Sequence, residues 1–242
     1  MKLGRPKEKA VPAPEARSQA VEEYLEAIHR LSRTPGGVST TGLARHLGVR
    51  PASVTGMLRR LSSLGLITYR RYRDIALRPA GEQLANELIR RHRLTERLLT
   101  DVLGVPLENA HDEACRLEHA VSPAVESRIA EALGEPQSCP HGNPIDVESD
   151  DPTFTLAGAP VDRALRIVRL EDESPEVVRY LTDRKLLPGA RVKVKLREPL
   201  GGAVVLEIEG ESQPQTLGPR LAASIRVRAV RSKRTSRAGK GS

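Results

Sequence analysis

At 242 residues the chain is long enough for one large domain or two to three small ones, and with four Tyr, one Phe and no Trp its cores must be built from Leu, Val, Ile and Ala. Two Cys argue against a disulfide framework, and no run approaches the ~20 apolar residues of a membrane helix. No apolar run follows the N-terminal charges as in a secretion signal, so a cytoplasmic protein is expected. The net charge of +8 is unevenly spread. Eight arginines and one acid, Asp74, lie between Arg45 and Arg78, and the stretch from Arg226 to Ser242 holds seven Lys/Arg and no acid. Residues 111–156 hold ten Asp/Glu against Arg116 and Arg128. Segregation of this kind is the footprint of a phosphate-binding surface.

Residues 1–16 lack periodicity and read as a disordered basic arm. A domain over 17–78 follows. Val21, Tyr24, Leu25, Ile28 and Leu31 make one apolar helical stripe, stopped by Thr34-Pro35-Gly36-Gly37. Ser39 and Thr40 are candidate caps of a short helix ending at Gly48, and a second begins near Pro51 and runs to Gly65. Helix, turn and helix, followed by an arginine-tipped hairpin over Leu66–Leu77, read as a winged helix-turn-helix. A three-helix packing module without a DNA role is the alternative.

A helical segment over 79–134 comes next, with helices expected at about 80–103, 107–120 and 123–133. Long helices after a winged domain commonly supply dimerisation, and a palindromic site requires a two-fold protein. On the middle helix, His111, Cys115, Glu118 and His119 share one face, since i, i+4 and i+7 positions stack. His92 and Glu96, spaced i, i+4, form a shorter set. All are residue types that bind first-row transition metals. A solvated or salt-bridged helix face is the bland alternative, more so for the short set.

Residues 135–160 carry five prolines and read as a linker. The region 161–231 turns to short alternating strands, Ala164–Leu170, Val192–Leu196, Val204–Ile208 and Ile225–Arg228, with a helix over Pro175–Lys185; this suggests a small barrel. A basic tail, 232–242, closes the chain. The expected fold is mainly α with a small β domain.

Over roughly 18–230, and most strongly at Arg90–Thr100, His111–His119 and Cys139-Pro140-His141-Gly142-Asn143-Pro144-Ile145, the chain resembles the diphtheria toxin repressor family of metal-dependent regulators. That resemblance implies a winged helix-turn-helix, a helical dimerisation domain and a C-terminal SH3-like (FeoA-like) barrel. It implies a homodimer that binds a palindromic double-stranded DNA operator, without membrane, and represses metal-uptake genes when metal is plentiful. The resemblance places an ancillary metal on His92, Glu96 and His111, and a primary metal on Cys115, Glu118 and His119 with a ligand from the first helix, so up to two ions per subunit. The first-helix position is Glu23, where the iron branch has Met; Glu26 matches a second acid of the manganese branch, which in turn has Glu where this chain has Cys115. Carboxylate hardens the site toward Mn(II), with Fe(II) second. The barrel positions that reach the ancillary metal in the iron branch match Ser174 and Val177, with Glu173 or Glu176 as neighbouring substitutes. DNA contact falls on Thr40, Arg50, Pro51, Ser53, Thr55 and Arg60 of the helix-turn-helix and Arg73 of the wing, while Gly56 stands where the family often has a base-reading Gln. Two rival functions remain on the residues alone. One is a constitutive DNA-binding protein with a structural metal, the other a metallohydrolase using His92, Glu96, His111 and His119.

Overall fold

A computed structural model describes residues 18–34, 36–70, 74–146 and 153–230. The N-terminal arm, the wing tip with Arg73, part of the expected linker and the basic tail lie outside the described residues. The chain divides into two compact units. One runs up to His92 and takes in Glu118–Ser122; the other comprises Arg93–Leu117 and the chain from Pro123 onward. The helical segment 79–134 therefore contributes to both.

In the first unit, α1 (Gln19–Ser32), α2 (Thr40–His46) and α3 (Pro51–Ser63) enclose a core of Val21, Leu25, Ile28, Leu43, Val54, Leu58 and Leu61, all fully buried. The Ser39 side chain caps α2 by accepting from the Gly42 N–H at 3.0 Å, and Pro51 starts α3 where its missing N–H costs nothing. The wing is an antiparallel pair, β1 (Ile67–Tyr69) and β2 (Ile75–Leu77), with Ile67 opposite Leu77. Helix α4 (Pro79–Arg97) leaves the wing through Gly81, where a Cβ would stand 2.1 Å from the Leu66 carbonyl oxygen. Only glycine permits that approach.

In the second unit α4 passes into a wider π-helical turn, Leu98–Val102, so the helix expected to 103 changes pitch after Arg97. Helices α5 (Leu107–Leu117) and α6 (Pro123–Ala132) follow, with Glu118–Ala120 forming a tighter turn that belongs to the first unit. The rest is a six-stranded antiparallel sheet in the order β3-β8-β4-β5-β6-β7, from β3 (Phe154–Thr155), β4 (Ala164–Leu170), β5 (Arg191–Arg197), β6 (Val204–Ile208), β7 (Gln215–Leu217) and β8 (Ile225–Ala229). Helices α7 (Pro175–Asp183) and α8 (Pro219–Ala223) cover its core of Leu165, Ile167, Leu181, Val194, Leu206, Leu217 and Val227.

Of the stretch expected as a linker, residues 135–146 and 153–160 are among the described residues. The Ser138–Pro144 loop closes on itself through the Cys139 N–H to Asn143 carbonyl and Gly142 N–H to Cys139 carbonyl hydrogen bonds, at 2.8 and 2.9 Å. Arg97 Nε donates to the Ser138 carbonyl at 2.7 Å, and Arg93 donates to that of Pro144. Pro140 and Pro144 lie within this tethered loop.

Candidate metal centres and DNA-binding face

The first unit gathers donors from three elements. Glu118 of the turn after α5 is 2 % exposed, and its Oε2 lies 2.6 Å from Nδ1 of the equally buried His92 on α4. His119 places Nδ1 2.9 Å from Glu22 Oε2 and Nε2 4.0 Å from Glu23 Oε1, both glutamates on α1, and 3.4 Å from Glu118 Oε1. Burial pushes the Glu118 carboxyl up; His92 opposes this and the nearby Glu26 charge adds to it. His119 is raised chiefly by its hydrogen bond to Glu22. The Arg91 guanidinium donates to the Glu118 backbone carbonyl at 3.3 Å and holds the turn in place. Two imidazoles and several carboxylates brought together here satisfy one another by hydrogen bonds and are of the types that bind a divalent cation.

The second unit holds another set. Ligand atoms of Glu96, Cys139, His141 and Glu173 all lie within 4.8 Å of one another, and the first three residues are fully buried. His141 Nδ1 is 3.2 Å from Glu96 Oε1, yet neither ring nitrogen of this 0 % exposed residue makes a hydrogen bond. Imidazole nitrogens stripped of water and left without hydrogen bonds need another partner, and a metal ion is the partner their neighbours suit. His111 joins the set, with Nδ1 3.4 Å from Glu96 Oε1 and 3.1 Å from Glu173 Oε2. Cys115 Sγ follows 3.8 Å from His111 Nε2. Burial alone would lower the His111 pKa, but Cys115, Glu173 and Glu96 outweigh it and hold it up to about 11. Burial, reinforced by the Glu96 and Glu173 charges, keeps the Cys139 thiol well above its ordinary range. The donor set of carboxylate oxygen, imidazole nitrogen and sulfur fits a first-row divalent ion.

Local structure explains this convergence. Gly142, at φ +88, lets the loop lie on β4, where a Cβ would stand 2.0 Å from the Val168 carbonyl oxygen. The Leu170 N–H donates to the His141 carbonyl at 2.9 Å, which draws the histidine toward the end of β4. Glu173 follows three residues later and accepts from Asn143 Nδ2 at 2.6 Å.

Several expectations shift. His92 Nδ1 contacts Glu118, while Glu96 contacts His111. On α1, Glu22 makes the close contact to His119 and was not singled out; Glu26 bonds Arg30 at 3.0 Å. Of the two barrel candidates, Glu173 lies within 4.8 Å of the Glu96, Cys139 and His141 donors. Glu176 is exposed, and Ser174 stands at the N-cap of α7 with its hydroxyl on Asp172. Cys139 and His141 also escaped notice as ligands, although Cys-Pro-His-Gly pairs two donor types one residue apart. Their place in a proline-rich stretch pointed to a linker instead.

In the helix-turn-helix, Arg50 at the start of α3, Pro51, Ser53 and Arg60 are exposed, and Thr40 and Thr55 are half-buried. The Thr55 hydroxyl donates to the Pro51 carbonyl at 3.3 Å. A Cβ at Gly56 would meet nothing within 4 Å, so this face is open, and residues 40–66 contain no acid.

Residues 18–75 match the family described as iron dependent repressor, N-terminal DNA binding domain. Residues 78–146 match the iron dependent repressor metal binding and dimerisation domain, and 154–229 match the FeoA domain. The chain is 33 % identical over 225 residues to the iron-dependent repressor IdeR of Mycobacterium tuberculosis, covering 86 % of this chain and 96 % of the relative. It is 36 % identical over 124 residues to the diphtheria toxin repressor of Corynebacterium diphtheriae, covering 51 % and 55 %. A solved structure of a manganese-dependent transcriptional repressor in complex with manganese superposes with a TM-score of 0.80 at 30 % identity, over 86 % of this chain and 99 % of that one.

Proposed function

The chain belongs to the diphtheria toxin repressor family of metal-dependent, DNA-binding transcriptional repressors, which are not enzymes, and we propose that it is a manganese-responsive repressor of metal-uptake genes, with Fe(II) as second-choice activator. It acts as a cytoplasmic homodimer on a palindromic operator. No helix among the described residues is long and apolar enough to cross a membrane. Each subunit takes up to two ions, one in each unit. Glu23, Glu26, His92, Glu118 and His119 serve the first, with Glu22 orienting His119. Glu96, His111, Cys139, His141 and Glu173 serve the second, with Cys115 beside His111.

The observation that supports this best is the donor set of the first unit, which joins α1 of the DNA-binding domain to α4 and to the Glu118–Ala120 turn. A bound cation supplies positive charge that neutralises the converging carboxylates. His119 and Glu118 then hold α1 through Glu22 and Glu23, and α1 packs against α2 of the helix-turn-helix through the shared core. Arg50, Ser53, Thr55 and Arg60 present phosphate- and base-contacting groups on α3, and Thr40 does so on α2, with Arg73 of the wing adding to them. The carboxylate at position 23 favours Mn(II) over softer ions, while sulfur at 115 draws toward Fe(II).

The test is operator binding by chelator-stripped protein titrated with Mn(II), anaerobic Fe(II) and Zn(II). Mn(II) restores tight binding in the wild type and fails to do so in Glu23→Ala and His119→Ala. His141→Ala binds one ion fewer per subunit by elemental analysis. Equal operator affinity with and without metal, in folded protein, makes the ions structural and the reading wrong.

A further inference from the structure

Val54, Leu58 and Leu61 are the fully buried residues of α3, and they fix which way the rest of the helix faces. At 3.6 residues per turn the stripe opposite them is Ala52, Gly56, Arg59 and Ser63, and all four are exposed. One long side chain, Arg59, stands on that stripe. A glycine inside a helix weakens it relative to alanine. Nothing in the fold asks for one at position 56. Gly56 lies inside the helix Pro51–Ser63, its φ is not positive, and a Cβ there would meet nothing within 4 Å. The room left by the missing side chain is outside the chain.

Long side chains on a helix lean toward its N-terminus and cover the residues three and four positions back. For Arg59 those are Gly56 and Thr55. Gly56 offers no obstacle, and the Thr55 hydroxyl is turned onto the helix, donating to the Pro51 carbonyl at 3.3 Å. The Ser63 hydroxyl, one turn the other way, likewise donates to the Arg60 carbonyl at 2.8 Å. Arg59 itself makes no hydrogen bond or ion pair among the described residues, and residues 40–66 hold no acid to claim it. Its neighbour Arg60 has the half-buried Met57 three positions behind it, so the unobstructed path along α3 belongs to Arg59.

We propose that Arg59 is a specificity-determining residue of α3, its guanidinium crossing Gly56 to reach the O6 and N7 edge of a guanine in the major groove. A recognition helix presents its N-terminal residues to the base edges. An arginine leaning N-terminally across a glycine carries a planar fork of donors to that end, and arginine on guanine O6 and N7 is the commonest specific contact in the groove. Gly56 at the same time lets the α3 backbone come close to the bases. The proposal rests on the chain being a DNA-binding repressor that reads through α3, but not on its metal preference.

The experiment selects binding sites from a randomised duplex library with the full-length protein, both Mn(II)-loaded and chelator-stripped, and compares wild type with R59A and G56A. Wild type selects a site with guanine fixed at one base pair that R59A leaves free, the rest of the site being unchanged. On the wild-type site R59A binds about 5- to 150-fold more weakly, the range of one bidentate base contact. R59A melts like wild type, since an exposed side chain without partners is lost. G56A melts above wild type and yet binds the selected site more weakly. An R59A site identical with the wild type's overturns the proposal, and so does a G56A that binds as well as wild type. Uniform weakening of R59A on all sequences, with the log–log salt slope reduced by about 0.9, makes Arg59 a phosphate contact and overturns it too. A wild-type site selected equally with and without metal overturns the metal-responsive reading and leaves the Arg59 comparison standing.

Discussion

His111 sits among carboxylates that hold its pKa up to about 11, far above the ~6.5 of an unfolded chain. A histidine whose folded pKa is raised stabilises the metal-free protein fully below about pH 6.5, progressively less above it, and not at all past about pH 11. A cation taken by the same imidazole must displace that proton, so metal uptake releases protons and strengthens as pH rises. The increase in Tm on adding Mn(II) is therefore larger at about pH 8 than at about pH 6. Paired thermal melts with and without the ion check this; a larger increment at the lower pH contradicts it. His119, raised by Glu22, acts in the same direction.

Between residue and domain stands the Ser138–Pro144 loop, whose position depends on Gly142. An alanine there meets two penalties, a left-handed backbone at φ +88 and a Cβ 2.0 Å from a backbone oxygen of β4. Gly142→Ala is expected to lower stability by about 1–3 kcal/mol and to weaken the second ion along with it. Denaturant unfolding and metal stoichiometry read the two effects. A variant that melts like wild type but still loses the ion would separate them and refute the shared cause. The same loop shows why some of the site escaped sequence reading. The helical spacing of His111 and Cys115 was legible because 3.6-residue periodicity reports which residues stack, whereas Glu118 and His119 stand in a tighter turn after α5. Cys139 and His141 have no periodicity to report. Their meeting with Glu96 and Glu173 depends on a close backbone approach that only three dimensions reveal. Strands β3 and β7, of two and three residues, and the short helix α8 were missed for a related reason. They are too brief to alternate, and their partners lie far along the chain.

For the whole molecule, coupling between metal and DNA is reciprocal. If Mn(II) raises operator affinity, operator DNA raises Mn(II) affinity by the same factor, about 5- to 150-fold for a coupling of 1–3 kcal/mol. Metal titration of the protein alone and of its operator complex gives both sides of that cycle. A factor of one on the metal side, alongside metal-dependent DNA binding, would break the linkage. The His→Ala and Glu→Ala variants of the first unit shrink both factors together.

The strand order has a consequence for how the molecule is made. Its DNA-binding unit is complete in sequence once Ser122 has been added, but central strand β4 must wait for its neighbour β8, which ends at Ala229. Domains fold as units during synthesis at ~5–20 residues per second, so roughly a hundred residues separate the two events by about 5–20 s. A nascent chain therefore carries a finished helix-turn-helix for several seconds before the six-stranded sheet can close.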